Sequence, residues 1–125
     1  MFDKVLKWDL NDGFPLLTTK KMYWKGIVEE LLFFIRGDTQ SKKLEEKGIK
    51  IWKANTCAEF LQMCNFNNYS EGEMGPMYGY QWRFFGKPYK KNSKEKGIDQ
   101  LKQFINELRI NPNSRRHLIS SYNPQ

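Results

Sequence analysis

Lys21-Met22-Tyr23-Trp24-Lys25-Gly26-Ile27-Val28-Glu29-Glu30-Leu31-Leu32-Phe33-Phe34-Ile35-Arg36-Gly37 is the stretch on which the fold turns. Trp24, Ile27, Val28, Leu31, Leu32 and Ile35 recur at helical spacing, which predicts an amphipathic helix over 21–36. Thr18 and Thr19 stand ahead of it as candidate N-caps, and Gly37 closes it as a C-terminal cap. Lys25, Glu29 and Arg36 fall on the polar side. Glu30 does not: it falls beside Ile27 and Phe34, at the edge of the apolar stripe. A carboxylate there is costly unless hydrogen-bonded. Partial burial disfavours its charged form and would suit it to hold or relay a proton near neutral pH. A boundary glutamate paired with a lysine accounts for the same pattern.

On the N-terminal side, Phe2, Leu6, Trp8 and Leu10 share one parity, with Asp3, Lys7 and Asp9 on the other, which reads as a half-buried strand. Asn11-Asp12-Gly13 ends it with turn chemistry. On the C-terminal side, a short helix over 40–47 is closed by Gly48, and Ile49-Lys50-Ile51-Trp52 reads as extended. Residues 54–63 suggest another helix, and 65–76 are polar and glycine-bearing, hence a loop. Residues 77–85 are rich in aromatic side chains and follow no single period. Ile98, Leu101, Phe104, Ile105 and Leu108 are helical again, stopped by Asn111-Pro112. Residues 116–122 read as a strand leading to Pro124-Gln125. The elements sum to an α+β arrangement, one domain or part of one.

The 125 residues are 39% hydrophobic and 15% aromatic, too apolar for a disordered chain. They contain no run long enough for a membrane span and no signal-peptide pattern, which makes a soluble cytoplasmic protein the expectation. Cys57 and Cys64 lack the spacing of a zinc site or a redox pair and read as free thiols. A single histidine excludes a His-rich metal site, and no metal is expected. The net charge of +7 favours an anionic partner, with a phosphate-bearing small molecule and a nucleic acid both open. Much of the excess lies in 87–96, which reads as a solvated basic loop.

Neither a Walker nor a Rossmann phosphate loop occurs. Arg115 and Arg116, adjacent at the mouth of a strand, suit a dianionic phosphate through their planar forks. On an ideal strand they point to opposite faces, so both reach one phosphate only where the chain bends; two surface arginines are the plainer account. Trp52, Tyr78, Trp82 and Phe85, beside Gly75, Pro76 and Gly79, either line a slot for a flat heterocycle or form core.

The order of several segments carries more than any one of them. Asp12-Gly13-Phe14-Pro15-Leu16-Leu17-Thr18-Thr19-Lys20, then Glu30-Leu31-Leu32-Phe33-Phe34-Ile35-Arg36-Gly37-Asp38-Thr39, Ile51-Trp52-Lys53-Ala54-Asn55 and Gly75-Pro76-Met77-Tyr78-Gly79-Tyr80-Gln81-Trp82-Arg83 resemble consecutive segments of the thymidylate synthase family. Gly97-Ile98-Asp99-Gln100-Leu101 and Asn111-Pro112-Asn113-Ser114-Arg115-Arg116 follow in the same order. The resemblance implies a mixed β-sheet packed with helices, with residues 1–125 as the N-terminal portion of a single domain. It implies a methyltransferase of nucleotide biosynthesis that converts dUMP to dTMP. In that reaction 5,10-methylenetetrahydrofolate is cosubstrate and a cysteine thiolate adds to the uracil ring.

By the same resemblance, Glu30 organises water and proton transfer at the pyrimidine, and Tyr78 takes part in proton removal. Trp52 and Asn55 lie near the folate, and Tyr23 stands where a folate-contacting histidine is common. Arg115 and Arg116 match the pair that reaches across a homodimer to the phosphate of the partner's dUMP. The chain departs from the family in several places. Phe33 replaces the usual tryptophan, and Ser121-Tyr122-Asn123 stands where Ala-Trp-Asn is usual. The Arg-Thr-Gly phosphate loop and the Pro-Cys-His segment do not occur, and neither Cys57 nor Cys64 has the context of the nucleophile. Turnover by this chain alone is therefore not expected. Two other readings are a pyrimidine hydroxymethylase, separated by dUMP against dCMP preference, and a non-catalytic binding module or decayed gene product that contacts RNA through its basic surface. No RNA-recognition motif supports the last.

Overall fold

Helix α1 runs Trp24–Ile35 in the computed structural model, which describes residues 3–89 and 96–123. Phe2, Pro124, Gln125 and most of the basic run expected at 87–96 lie outside the described residues. Neither Thr18 nor Thr19 caps α1; Tyr23 holds that position, with no side-chain cap bond. The C-terminal end is as expected. Gly37 takes φ +70°, its N–H donates to Phe34 O at 2.9 Å, and Asp38 N–H donates to Phe33 O at 3.2 Å. This pair of bonds satisfies carbonyls the helix leaves open, and a side chain at Gly37 would strain it.

The buried side of α1 is not the stripe picked out by periodicity. Phe33 is fully buried and Gly26 is buried, whereas Leu31 is 48% and Leu32 41% exposed, with Trp24 and Ile27 also open. Gly26, Glu30, Phe33 and Phe34 share one face by their spacing of three, four and seven. Glu30 therefore lies within the packed face rather than at the edge of the other one. The helix is apolar on both sides, and the side with the glycine is the one that packs against α2 (Lys42–Glu45) and α4 (Tyr78–Phe84).

Residues 77–85, without a clear period, mostly fold as α4. Gly79 explains its docking: a Cβ there would sit 2.4 Å from Phe34 O and 2.6 Å from Phe34 Cα. Only a residue without a side chain permits that approach. Arg83, in the last turn of α4, donates to Ile35 O at 3.0 Å and pairs with Asp99 at 2.9 Å. Asp99 in turn caps α5 (Gln100–Ile110) by accepting from Lys102 N–H at 3.0 Å. One arginine and one aspartate thus fasten the ends of three helices.

The helix expected at 54–63 is shorter, α3 (Ala58–Met63), and ends on Asn65 with φ 62°. Of the segment 49–52, expected to be extended, Ile51 and Trp52 lie in turns that run on to Asn55: Lys53 N–H donates to Lys50 O and Asn55 N–H to Trp52 O, both at 3.1 Å. The loop 65–76 is stitched to the body by Ser41 N–H to Gly72 O, Gly72 N–H to Thr56 O and Met74 N–H to Thr39 O, at 2.7–2.8 Å. The core is Phe33, Leu44, Ile49 and Met74, with Phe34, Trp52 and Met77 packed on it.

Among the described residues there is no β-strand, only isolated antiparallel bridges between Gln40 and Glu73 and between Phe85 and Ile98. Among the described residues of the strands expected over 2–10 and 116–122, no ladder is formed. Leu10–Asp12 is a single 3-10 turn, and 117–123 run without a ladder partner. A strand is completed by its neighbour, which local alternation cannot supply.

Candidate active site

Three of the residues singled out by sequence meet around Phe34. Trp52 Nε1–H donates to Glu30 Oε1 at 2.7 Å. The Phe34 ring packs edge-on against Trp52, Tyr78 and Trp82, with centroids at 6.4, 5.4 and 6.1 Å, and Trp52 and Tyr78 lie 6.4 Å apart. Edge-to-face packing at these distances fixes ring planes as well as positions. Glu30 comes from α1, Trp52 from the turn after Ile51, and Tyr78 from the first residue of α4. The carboxylate is half-buried, and the indole gives it the hydrogen bond that burial demands.

Trp52 is itself held from behind. Its carbonyl accepts from Thr56 Oγ1 at 2.8 Å, and Thr56 Oγ1 lies 2.8 Å from Ser41 Oγ, with both hydroxyl residues buried. These bonds account for the buried polar atoms under the turn and fix the direction in which the indole leaves it.

Trp52, Asn55 and Tyr78 open onto a cavity of about 650 Å³. Phe60, Phe66, Tyr69, Met74 and Met77 supply apolar wall, and Tyr122 and Asn123 close another side. Sequence reading did not assign these to the site. Phe66 and Tyr69 stack at 5.1 Å, but their i, i+3 spacing lies in a segment read only as loop. Tyr122 and Asn123 belong to the segment that departs from the family pattern. The cavity is of small-molecule size, and its aromatic walls suit a flat heterocycle.

Other expected site residues lie apart. Tyr23 is exposed at the start of α1, against Gly26, and does not line the cavity. Arg115 and Arg116 are exposed in a turn, so the chain does bend where their pairing on one phosphate requires it. Arg116 N–H donates to Ser114 Oγ at 3.2 Å, and its side chain borders a separate small hollow with His117 and Gln100. Phe85 belongs to neither group, and Trp82 serves the Phe34 cluster rather than the cavity lining. Cys57 and Cys64 are free thiols, and neither lines the cavity; Cys57 Sγ–H donates to Ala54 O at 3.3 Å. Among the described residues no group of His, Cys, Asp and Glu is placed to hold a metal.

A second aromatic cluster borders this site. Tyr89 packs on Tyr69 and Tyr80, and its hydroxyl donates to Thr39 Oγ1 at 3.2 Å. Burial pushes the Tyr89 phenol up to about 12, with the Thr39 bond working against the rise and Glu73 adding to it.

The family model described as thymidylate synthase matches residues 1–125. The chain is 46% identical over its whole length to thymidylate synthase of Bos taurus, of which it covers 36%. It is 44% identical over its whole length to the Homo sapiens protein, covering 41% of it. Over 90% of its length it is 51% identical to that of Ascaris suum, covering 40%. The chain thus spans about two fifths of the length of these relatives. With that match running from end to end, the chain belongs to the thymidylate synthase family.

Proposed function

We propose that this chain serves the methylation of dUMP to dTMP, with 5,10-methylenetetrahydrofolate as cosubstrate. The observation that carries the reading is the Trp52–Glu30 hydrogen bond, set beside Tyr78 at the rim of the cavity. Glu30 is the group that orders water and moves a proton at the pyrimidine, and the indole N–H keeps its carboxylate oriented. Tyr78 offers a phenol for proton removal from the ring. Trp52 and Asn55 hold the folate, whose pterin the aromatic walls suit; the folate supplies the carbon unit and the hydride. The Tyr23 assignment to the folate rests on the resemblance alone.

The nucleophilic thiolate is not assigned to Cys57 or Cys64, since neither reaches the cavity. Arg115 and Arg116 stand away from Glu30 and Trp52, which supports their service to the phosphate of a neighbouring subunit in a homodimer. The mixed sheet of the family belongs to the same proposal, with 3–9 and 117–123 as the segments that would join it. So does residence in the cytoplasm, where free thiols persist. Among the described residues no helix is long and apolar enough to cross a membrane.

The test is titration of the isotope-labelled chain with dUMP and then folic acid, followed by nuclear magnetic resonance. The Trp52 indole and the Glu30 and Tyr78 amides should shift. Shifts with dCMP and none with dUMP would favour the hydroxymethylase, and no shift with any of the three would overturn the assignment.

A further inference from the structure

We propose that Ser121 is a positioning residue that seats one wall of the cavity, and that it does so through Trp82. Trp82 Nε1–H donates to Ser121 Oγ at 2.7 Å, across 39 residues of chain. Ser121, Tyr122 and Asn123 line the same cavity as Trp52 and Tyr78. The neighbouring residue is held as firmly: Gln100 Nε2–H donates to Ser120 O at 2.9 Å and to Gln81 O at 2.7 Å, and Ser120 N–H donates to Gln100 Oε1 at 3.0 Å. The wall therefore has two anchors, one to its backbone and one to its side chain.

The two anchors differ in what they reach. Gln100 ties the segment to the start of α5 and to a carbonyl of α4. Ser121 ties it to Trp82, whose ring packs on Phe34, and Phe34 also packs on Trp52 and Tyr78. The Ser121 hydroxyl is thus the link by which wall and site share one aromatic hub. An alanine at this position could not accept the indole proton, so the link depends on the Ser121 hydroxyl. Tyr122, 75% exposed, follows directly and borders a second hollow of about 430 Å³ as well. The seating of Ser121 fixes which side of that ridge its ring takes, and with it the width of the cavity offered to a flat ligand.

The proposal rests on the reading of the cavity as the pyrimidine and folate site only for the ligand arm of its test. Ser121→Ala should move the Trp82 indole N–H resonance, identified by its loss in Trp82→Phe, and speed amide exchange of Tyr122 and Asn123. The Trp52 indole should hold, and the melting temperature should fall by no more than the loss of one hydrogen bond entails. Folic acid should bind roughly fivefold more weakly, the scale of one lost hydrogen bond. Ser121→Thr, which keeps the hydroxyl, should restore all three readouts. An unchanged Trp82 resonance or unchanged exchange at Tyr122 and Asn123 in Ser121→Ala overturns the proposal. Loss of the Trp82 bond without any change in folic acid affinity overturns its claim on cavity width. Should folic acid not bind the unsubstituted chain while the resonance and exchange effects appear, the positioning role stands and the functional reading fails.

Discussion

Trp52 and Glu30, 22 residues apart in sequence, meet in a 2.7 Å hydrogen bond on the packed face of α1. The bond answers two needs at once: it gives a half-buried carboxylate a donor, and it pins the indole whose other edge faces the cavity. Trp52→Phe should leave Glu30 without that donor, and Glu30→Gln should keep an acceptor without the charge. In a double-mutant cycle with Glu30→Ala and Trp52→Phe, followed by urea denaturation, we predict a coupling of about 1–2 kcal/mol. A coupling near zero would mean that the bond does not matter to the fold.

Gly79 is the contact point of α1 and α4, and its Cα hydrogen faces the Phe34 backbone. Gly79→Ala places a methyl 2.4 Å from a carbonyl oxygen that cannot rotate away. We expect a loss of about 2–3 kcal/mol, since the helices must separate and strip packing from Phe34. The measurement is the denaturant midpoint, with the Trp52 and Trp82 resonances as a local check. An unchanged midpoint would show that α4 does not dock on α1 through this contact.

The alkaline limb of stability should carry the mark of Tyr89. Its phenol is raised from the ordinary value near 10 to about 12, chiefly by burial. A raised folded-state value means that the neutral phenol is favoured in the fold. Its contribution is therefore complete below about pH 10 and is lost as pH rises toward about 12. Tyr69 and Tyr80 are raised in the same direction by their own burial. Melting temperature measured across this range should fall, and Tyr89→Phe should shallow the fall. An equal slope in the variant would assign the alkaline loss to the other tyrosines.

Arg115 and Arg116 are exposed and take no part in the core. Alanine at either position should change stability by less than about 0.5 kcal/mol. If they hold the phosphate of dUMP, each substitution should weaken dUMP binding roughly tenfold, with a shallower salt dependence than the unsubstituted chain. Calorimetric titration at two salt concentrations reads both. Equal affinity in the double variant would remove the pair from the phosphate site.

The sequence made some of this legible and hid the rest for physical reasons. Periodicity located α1 and α5, because their apolar positions recur over three turns. It chose the wrong face of α1, since both faces are apolar and the close approach of Gly79 to Phe34 decides which one packs. The segment that becomes α4 shows no stripe because its contacts are made by a glycine, an arginine and a tryptophan rather than by aliphatic side chains. Trp52 was expected in an extended segment; it sits in a turn fixed by the Thr56 and Ser41 hydroxyls, partners that no local pattern announces. The expected strands are not formed among the described residues for a different reason, as alternation marks a surface suited to pairing without providing the pair. Trp52, Asn55 and Tyr78 line one cavity and Glu30 joins them through its bond to Trp52, whereas the aromatic residues of the loop wall carried no motif.

Gln100 lends the segment around Ser120 a side-chain amide in the role of a peptide group, donating to one carbonyl and accepting from the same residue's N–H. The stretch between them, through α5 and the turn that carries the two arginines, is thereby a closed excursion that leaves and returns at one place. Its length is decoupled from the cavity. Residues can be inserted or removed near Pro112 and Asn113 without shifting the register of Tyr122, provided Ser120 still comes home to Gln100, so chain length there can vary while the cavity wall keeps its place.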